Sequence, residues 1–343
     1  MSTCCGSVSP SNRPHALCSA EIRRITGVLT LADRWDHIKA RWGHRRSDHR
    51  VAPGLYALGD PTPDSPVFVT ANYTLSFDAL RTAVNGVDGY ILVLDTRGVN
   101  VWCAAGKGTF GTDEIVNRVQ AAALSQVVSH RDLILPQLGA PGVAAHEVKR
   151  RTGFRVVYGP VRAEDLPAYL RQGEASPEMR RIRFTIRDRA ALVPVELVHV
   201  ALPMVIAAAV LFLLRGPVAA VAALVAVLAG AGLFPLLLPW IPTTDFSSKG
   251  FILGAVVVLP FAAGELLGDA TASQRVGDAL ALALALPPVT AYLALNFTGA
   301  TTFTSKTGVA REMATYIRPM AWLFGTGTLV WLVTTILRWL DIA

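Results

Sequence analysis

The chain has 343 residues, 52% of them hydrophobic and 17% charged, which is too apolar on average for one water-soluble domain. Its formal charge of +7 raises nucleic acid as a partner, but the arginines crowd into 41–50 and 180–189 without a stacking platform or groove-reading motif, so no nucleic-acid function is expected. The second basic block directly precedes the first long apolar stretch, where cationic residues belong on the cytoplasmic side of a membrane.

Residues 1–20 have loop composition. Cys4 and Cys5 read either as a soft-metal pair or as incidental thiols, and together with Cys18 and Cys103 they show neither zinc spacing nor a disulfide framework. The N-terminus lacks the charged start and apolar core of a signal peptide, which places the soluble part in the reducing cytoplasm. From Ile25, apolar residues at Val28, Leu31, Trp35, Ile38 and Trp42 line one helical face, predicting an amphipathic helix that ends at Gly43 and either caps the domain or simply packs on it. The turn-rich run from Pro53 to Pro66 has no regular period and is expected to be an extended lead-in segment.

Strands and helices then alternate. Strands are predicted at Val67–Ala71, Tyr90–Asp95, Leu133–Leu135 and Phe154–Tyr158, and helices at Ser76–Val84, Thr112–Leu124, Val143–Arg151 and Glu164–Gln172, with Thr112, Asp113 and Glu114 as a helix start. This pattern predicts an α/β fold with a mostly parallel sheet covered on both faces. Ligands in such sheets bind beyond the carboxyl ends of the strands, here the loops 72–75, 96–111, 136–142 and 159–163. The longest of these carries Cys103, the one cysteine outside the N-terminal tail.

Beyond Val193, apolar spans are readable at about 195–214, 217–241, 251–268, 276–295 and 319–340, each close to the roughly 20 residues needed to cross hydrocarbon. Five crossings put the 180–189 block and Lys306, Arg311 and Arg318 on the same, cytoplasmic side, with Arg215 and Arg275 outside. Trp240, Trp322 and Trp339 suit interfacial anchors. Pro203, Pro235, Pro260, Pro287 and Pro288, with Glu196, His199 and Glu265, admit a transporter of broken helices, but these three ionisable residues fall near span ends, which favours an anchor. The segment 296–318, rich in Thr and Gly, reads as a long cytoplasmic loop, either a solvated connector or a contact for the soluble domain. The expected organisation is an N-terminal tail and amphipathic cap helix at 1–52, a cytoplasmic α/β domain at 53–175, a basic linker at 176–194 and a transmembrane domain of five helices at 195–343.

Several motifs can be excluded for the loop that carries Cys103. Gly106-Lys107-Gly108-Thr109 is not a phosphate loop, because Val101 stands where that motif needs its first glycine and Gly108 where it needs Ser or Thr. No Gly-x-Gly-x-x-Gly follows the first strand, and no Asp-x-His-x-x-Gly run supplies a histidine to a cobalt corrinoid. A thiol near a helix start, with Lys107 nearby to favour a thiolate, is a soft ligand; read without its neighbours, Cys103 is better taken as a small buried hydrophobe.

The run Asn100-Val101-Trp102-Cys103-Ala104-Ala105-Gly106-Lys107 resembles the signature of the mercury-methylating corrinoid protein family (HgcA). The resemblance extends to Arg41-Trp42-Gly43, Pro53-Gly54-Leu55-Tyr56, residues 65–73 and Asn296-Phe297-Thr298-Gly299, and more widely to the corrinoid iron-sulfur protein of the acetyl-CoA pathway. It implies a Rossmann-like corrinoid-binding domain followed by a five-span anchor in the cytoplasmic membrane, with Cys103 as lower axial ligand of cobalt. It further implies a methyl group drawn from a methyl-folate or methyl-pterin methyltransferase and passed to a Hg(II) thiolate complex. Reduction by a ferredoxin-like partner with 4Fe-4S clusters (HgcB-type) completes the cycle. On that reading Asn100 and Trp102 shape the loop, Gly106 allows close backbone approach, and Lys107 meets the thiolate, a corrin side group or solvent. Thr70, Asn72 and Thr74 are candidates for the corrin edge or upper face, or are turn formers. The rival readings are a corrinoid methyl carrier of one-carbon metabolism that does not methylate mercury, and a membrane transporter with a sensor domain.

Overall fold

The computed structural model describes residues 22–45, 48–301 and 305–340, so the expectations for Cys4, Cys5 and the N-terminal tail lie outside the described residues. Two compact units divide the chain, one formed by residues up to 37 with 45–181, the other by 38–44 with 182–343.

The first unit is built on a six-stranded sheet: β1 (Arg23–Ile25), β2 (Gly54–Leu58), β3 (Val67–Ala71), β4 (Gly89–Leu94), β5 (Asp132–Leu135) and β6 (Arg155–Tyr158), in the order β1-β2-β4-β3-β5-β6. Neighbours run parallel except β2 and β4, which are antiparallel. The four strands expected from the alternation are present, and the sheet is mixed rather than wholly parallel. The lead-in segment is the main correction, because its start forms β2. Leu55 to Leu58 are all buried, so the strand shows an unbroken apolar run where a half-exposed strand would alternate. The start of the predicted N-terminal helix is also displaced. Ile25 belongs to β1, and helix α1 (Leu31–Arg41) begins after Thr30, whose hydroxyl accepts from Asp33 N at 3.2 Å while Asp33 accepts from Thr30 N at 2.8 Å.

Side chains along β4 alternate between two cores. Leu92 and Leu94 join Val69, Leu133, Phe110, Ile115 and Phe154 on one face, while Ile91 and Val93 join Phe68, Phe77, Leu80 and Leu166 on the other. Six further helices accompany the sheet: α2 (Thr74–Ala83), α3 (Val101–Lys107), α4 (Thr112–Ala121), α5 (Leu124–Val127), α6 (Ala145–Thr152) and α7 (Leu166–Gln172).

The face that α1 turns toward this unit is polar. Arg81, itself buried, donates to Asp33 at 2.8 Å, to Asp78 at 2.6 Å and to the carbonyls of Thr26 and Val28; His37 meets Asp78 at 2.7 Å and His49 meets Asp36 at 2.9 Å. Burial raises the Asp33 carboxyl, but the Thr30 amide and the Arg81 guanidinium more than offset it and hold it below its ordinary value. The apolar stripe of α1 therefore faces away from the domain, opposite to the orientation expected of a helix packing through its hydrophobic side.

The second unit contains α8 (Ile186–Ala190), α9 (Val193–Arg215), α10 (Pro217–Leu228), α11 (Phe234–Leu237), α12 (Phe246–Leu266), α13 (Ala272–Asn296) and α14 (Lys306–Trp339), with a π-helical turn Ala229–Leu233 joining α10 to α11. Five helical segments among the described residues are long and apolar enough to cross a membrane, at the five predicted places. The expected loop at 296–318 is shorter than read: a 3-10 turn covers Phe297–Ala300, and α14 begins at Lys306, capped by Ser305 Oγ accepting from Gly308 N. Its Thr-rich composition hid this, although Ser305 is an ordinary N-cap signal.

Where α12 crosses α13 the backbones nearly touch. A Cβ on Gly250 would lie 2.6 Å from Ala291 Cα, and one on Gly254 would lie 2.8 Å from Pro287 Cα. Gly250→Val should accordingly force the helices apart and cost about 1–3 kcal/mol. This is measurable as a lowered thermal midpoint in nanodiscs against Gly264→Val, whose Cβ meets nothing within 4 Å and which should be near neutral.

Candidate functional site

The order of the parallel strands reverses at β3, with β4 on one side and β5 followed by β6 on the other. Sheets of this kind open a crevice at such a reversal, beyond the carboxyl ends of the strands. The segments that follow β3, β4 and β5 meet there.

After β3 comes Asn72, 2% exposed. Its Oδ1 accepts from Thr96 N at 3.0 Å, Thr96 Oγ1 at 2.9 Å and Gly98 N at 2.9 Å, and its Nδ2 donates to Asp95 Oδ1 at 3.1 Å. One carboxamide thus fixes the turn after β4. Arg97 and Gly98 at the centre of that turn have φ of 59° and 73°, and Val99 N closes it on Thr96 O at 3.2 Å, so the chain doubles back sharply and sets Asn100 at the start of α3.

The signature run is therefore mostly helix and not loop. Asn100 is the N-cap, its Oδ1 accepting from Cys103 N at 2.9 Å. Val101, Ala104 and Ala105 point into the core, which leaves Trp102 and Cys103 half-buried and Gly106 and Lys107 exposed on the outer side. Cys103 is a free thiol whose Sγ makes no hydrogen bond or ion pair among the described residues. Gly106 lies one turn further on, and nothing stands within 4 Å of where its Cβ would be. The surface beside the sulfur is open. Lys107, also one turn from Cys103, forms no ion pair with any described residue. The helix ends at Gly108, left-handed at φ 81°, whose N–H returns to Ala105 O.

Behind α3 lies the 3-10 turn Gln137–Gly142 that follows β5. A Cβ on Gly142 would fall 2.2 Å from Phe110 O and 3.0 Å from Ala105 Cα, and one on Gly139 would fall 2.5 Å from Phe110 Cε1. Contact this close needs glycine at both positions. Past that turn, Tyr158 Oη donates to Val143 O at 3.0 Å, and burial raises the phenol above its ordinary value.

Of the residues singled out from sequence, the structure assembles 100–107 as one capped helix and sets Asn72 beneath it. Thr70, 3% exposed, and Asn72 lie inside the floor, whereas Thr74, at the start of α2, is half-buried. Gly139, Gly142 and Thr96 were not foreseen. The two glycines carried a readable signal, since both fall in a loop at the ligand-bearing edge. Among the described residues no three His, Cys, Asp or Glu side chains gather to hold a bare metal ion.

Residues 20–170 match the family described as CO dehydrogenase/acetyl-CoA synthase delta subunit. The acetyl-CoA decarbonylase/synthase complex gamma subunit of Archaeoglobus fulgidus is 32% identical over 127 residues, 36% of this chain and 27% of the relative. That of Methanopyrus kandleri is 31% identical over 173 residues, 48% of this chain and 37% of the relative. The corrinoid/iron-sulfur protein large subunit of Moorella thermoacetica is 30% identical over 129 residues, 37% of this chain and 28% of the relative. The chain thus spans between about a quarter and two fifths of these relatives' lengths, and the family match ends before α8.

Removing the Asn72 carboxamide strands the N–H groups of buried Thr96 and half-buried Gly98. Asn72→Ala should cost about 2 kcal/mol or more and speed alkylation of Cys103, resolved by peptide mass spectrometry. Asn72→Asp keeps the acceptor oxygen but loses the N–H that Asp95 Oδ1 accepts and sets two carboxylates against each other, so it should rescue neither.

Proposed function

We propose that this chain is a membrane-anchored corrinoid methyltransferase: Cys103 is the lower axial ligand of the corrinoid's cobalt, and the methyl group carried there passes to a Hg(II) thiolate complex to form methylmercury. The observation that carries this reading is the placement of Cys103, half-buried and with no partner for its Sγ among the described residues, beside the bare surface over Gly106 at the edge where parallel strands end. A lone thiolate is a soft donor, suited to a metal whose remaining ligands come with a macrocycle. Gly106 and Gly108, both open at Cβ, leave room for a flat ring to approach the sulfur.

When bound, the corrinoid supplies the cobalt-carbon chemistry. The chain's own part is positional. Asn100 holds the Cys103 amide, so the sulfur sits at a fixed point of the first turn; Asn72 holds the turn that delivers Asn100; Phe110 and Gly142 support the helix from behind. Lys107, exposed one turn from the sulfur, is placed to meet a side group of the corrin, and half-buried Thr74 to meet its edge. Thr70 and Asn72 serve as its floor.

The partners of this reading are a methyl-folate or methyl-pterin methyltransferase as donor and a ferredoxin-like 4Fe-4S protein as reductant, with lipid around the five spans of a cytoplasmic membrane. The relatives' names support the corrinoid and its one-carbon setting, while the eight-residue run from Asn100 to Lys107 and the apolar helices support the mercury acceptor and the anchor. A second reading has support of its own: the names of the curated relatives favour a methyl carrier of one-carbon metabolism with the same fold and ligand.

Full-length protein loaded with corrinoid separates these. We expect the wild type, supplied with donor, reductant and Hg(II), to yield methylmercury. Cys103→Ala should lose both the thiolate signature in the corrin absorption spectrum and the product, and Cys103→His should restore coordination with altered transfer. Methyl loading without methylmercury supports the carrier reading; spectra and transfer unchanged in both variants remove Cys103 as ligand.

A further inference from the structure

Helix α1 is amphipathic in the reverse of the usual sense. At about 100° per residue, Leu31, Trp35, Ile38 and Trp42 fall within a stripe about 60° wide, and all four are exposed, at 85%, 58%, 46% and 52%. Arg34 and Arg41 lie on one flank of the stripe and Lys39 on the other, and all three are exposed. The opposite side carries Asp33, Asp36, His37 and the buried Ala40, and is the side tied to Arg81, Asp78 and His49. The network that docks α1 therefore consumes its polar face and leaves the apolar one outward. An apolar stripe holding two tryptophans and bordered by cations fits the boundary between lipid headgroups and acyl chains, where indole rings settle and basic side chains reach anionic phosphates.

Continuity with the apolar helices identifies the occupant. Residues 38–44, the last turns of α1 and the chain just beyond it, are compact with the unit that holds α9 to α14. Within that unit, a Cβ on Gly43 would stand 3.2 Å from Val195 Cγ2, in the first turn of α9. Trp42 is thus held at the level where α9 begins.

We infer that α1 lies in the plane of the membrane, its Leu31-Trp35-Ile38-Trp42 stripe inserted among the headgroups of the bilayer that α9 to α14 cross, with a preference for anionic phospholipid. The polar side of α1 is hydrogen-bonded to α2, whose Arg81 also donates to the loop between β1 and α1. The inference rests on the reading of α9 to α14 as spans and is independent of the chemistry at Cys103.

A photo-crosslinking amino acid placed singly at Leu31, Trp35 or Ile38 of the full chain, in nanodiscs of phosphatidylcholine with phosphatidylglycerol, tests it by mass spectrometry of the adducts. Probes at Glu174, exposed in the sheet unit, and at Leu213, 81% exposed on α9, serve as aqueous and lipid references. We expect phospholipid adducts at the three stripe positions at least about tenfold above Glu174. In the Ile38 probe variant, adding Arg34→Glu and Arg41→Glu should lower the yield several-fold with phosphatidylglycerol present and leave it unchanged in pure phosphatidylcholine. Lipid adducts at Leu213 with only the Glu174 level on α1 overturn the inference, as do stripe adducts to protein, whether a second copy or another partner. Absence of lipid adducts at Leu213 as well overturns the spans on which it rests.

Discussion

The Asn72 carboxamide is the constraint on which the arrangement around Cys103 depends. It is buried at the end of β3, yet its partners lie in the turn after β4, so a local decision about one side chain fixes a non-local one about the path of the chain. An unmet amide in that interior costs more than a made bond gains. The turn therefore has one low-energy course, with Arg97 and Gly98 both at positive φ, and it releases the chain where Asn100 can cap a helix. Val101, Ala104 and Ala105 then choose which side of that helix is buried, and Cys103 is left half-buried beside it.

The apolar unit uses its charges differently. Lys249, buried, donates to the carbonyls of Leu238 and Ile241 at 2.8 and 2.7 Å; Glu312 accepts from the amide and hydroxyl of Ser247, both at 3.1 Å; Asp278 is held by Arg215 and Arg338. Each lies near a helix end and spends its bonds on joining helices. Glu196, His199 and Glu265, the residues that raised a transporter on sequence, are none of them among the buried polar side chains.

Much of this architecture was legible where pattern and solvent agreed. The buried β3 and β4 stand out as apolar runs, and the five helices long and apolar enough to cross a membrane stand out as stretches with little charge. β2 was hidden because Pro53, Gly54 and the prolines at 61, 63 and 66 surround a five-residue strand with turn signals. α3 was read as loop because seven residues containing Gly106 are too short to show a period, although Asn100 was a visible cap. Amphipathicity locates α1 to within a turn or two and leaves open which face it buries, since periodicity marks a stripe without saying what covers it. The hydrogen bonds of Asn72 join positions some two dozen residues apart, information that no local window contains.

The contact between Gly142 and the α3 backbone has a mechanical meaning. Side-chain contacts can relax by changing rotamer, but a Cα set against Ala105 and the carbonyl of Phe110 has no such freedom. The segment 137–142 acts as a shim under α3, its closest approach, at Gly142, being main chain against main chain, and so it limits how near the sheet the helix that carries Cys103 can settle. The reach of the thiol is in this sense a dimension machined by a different loop from the one that carries it.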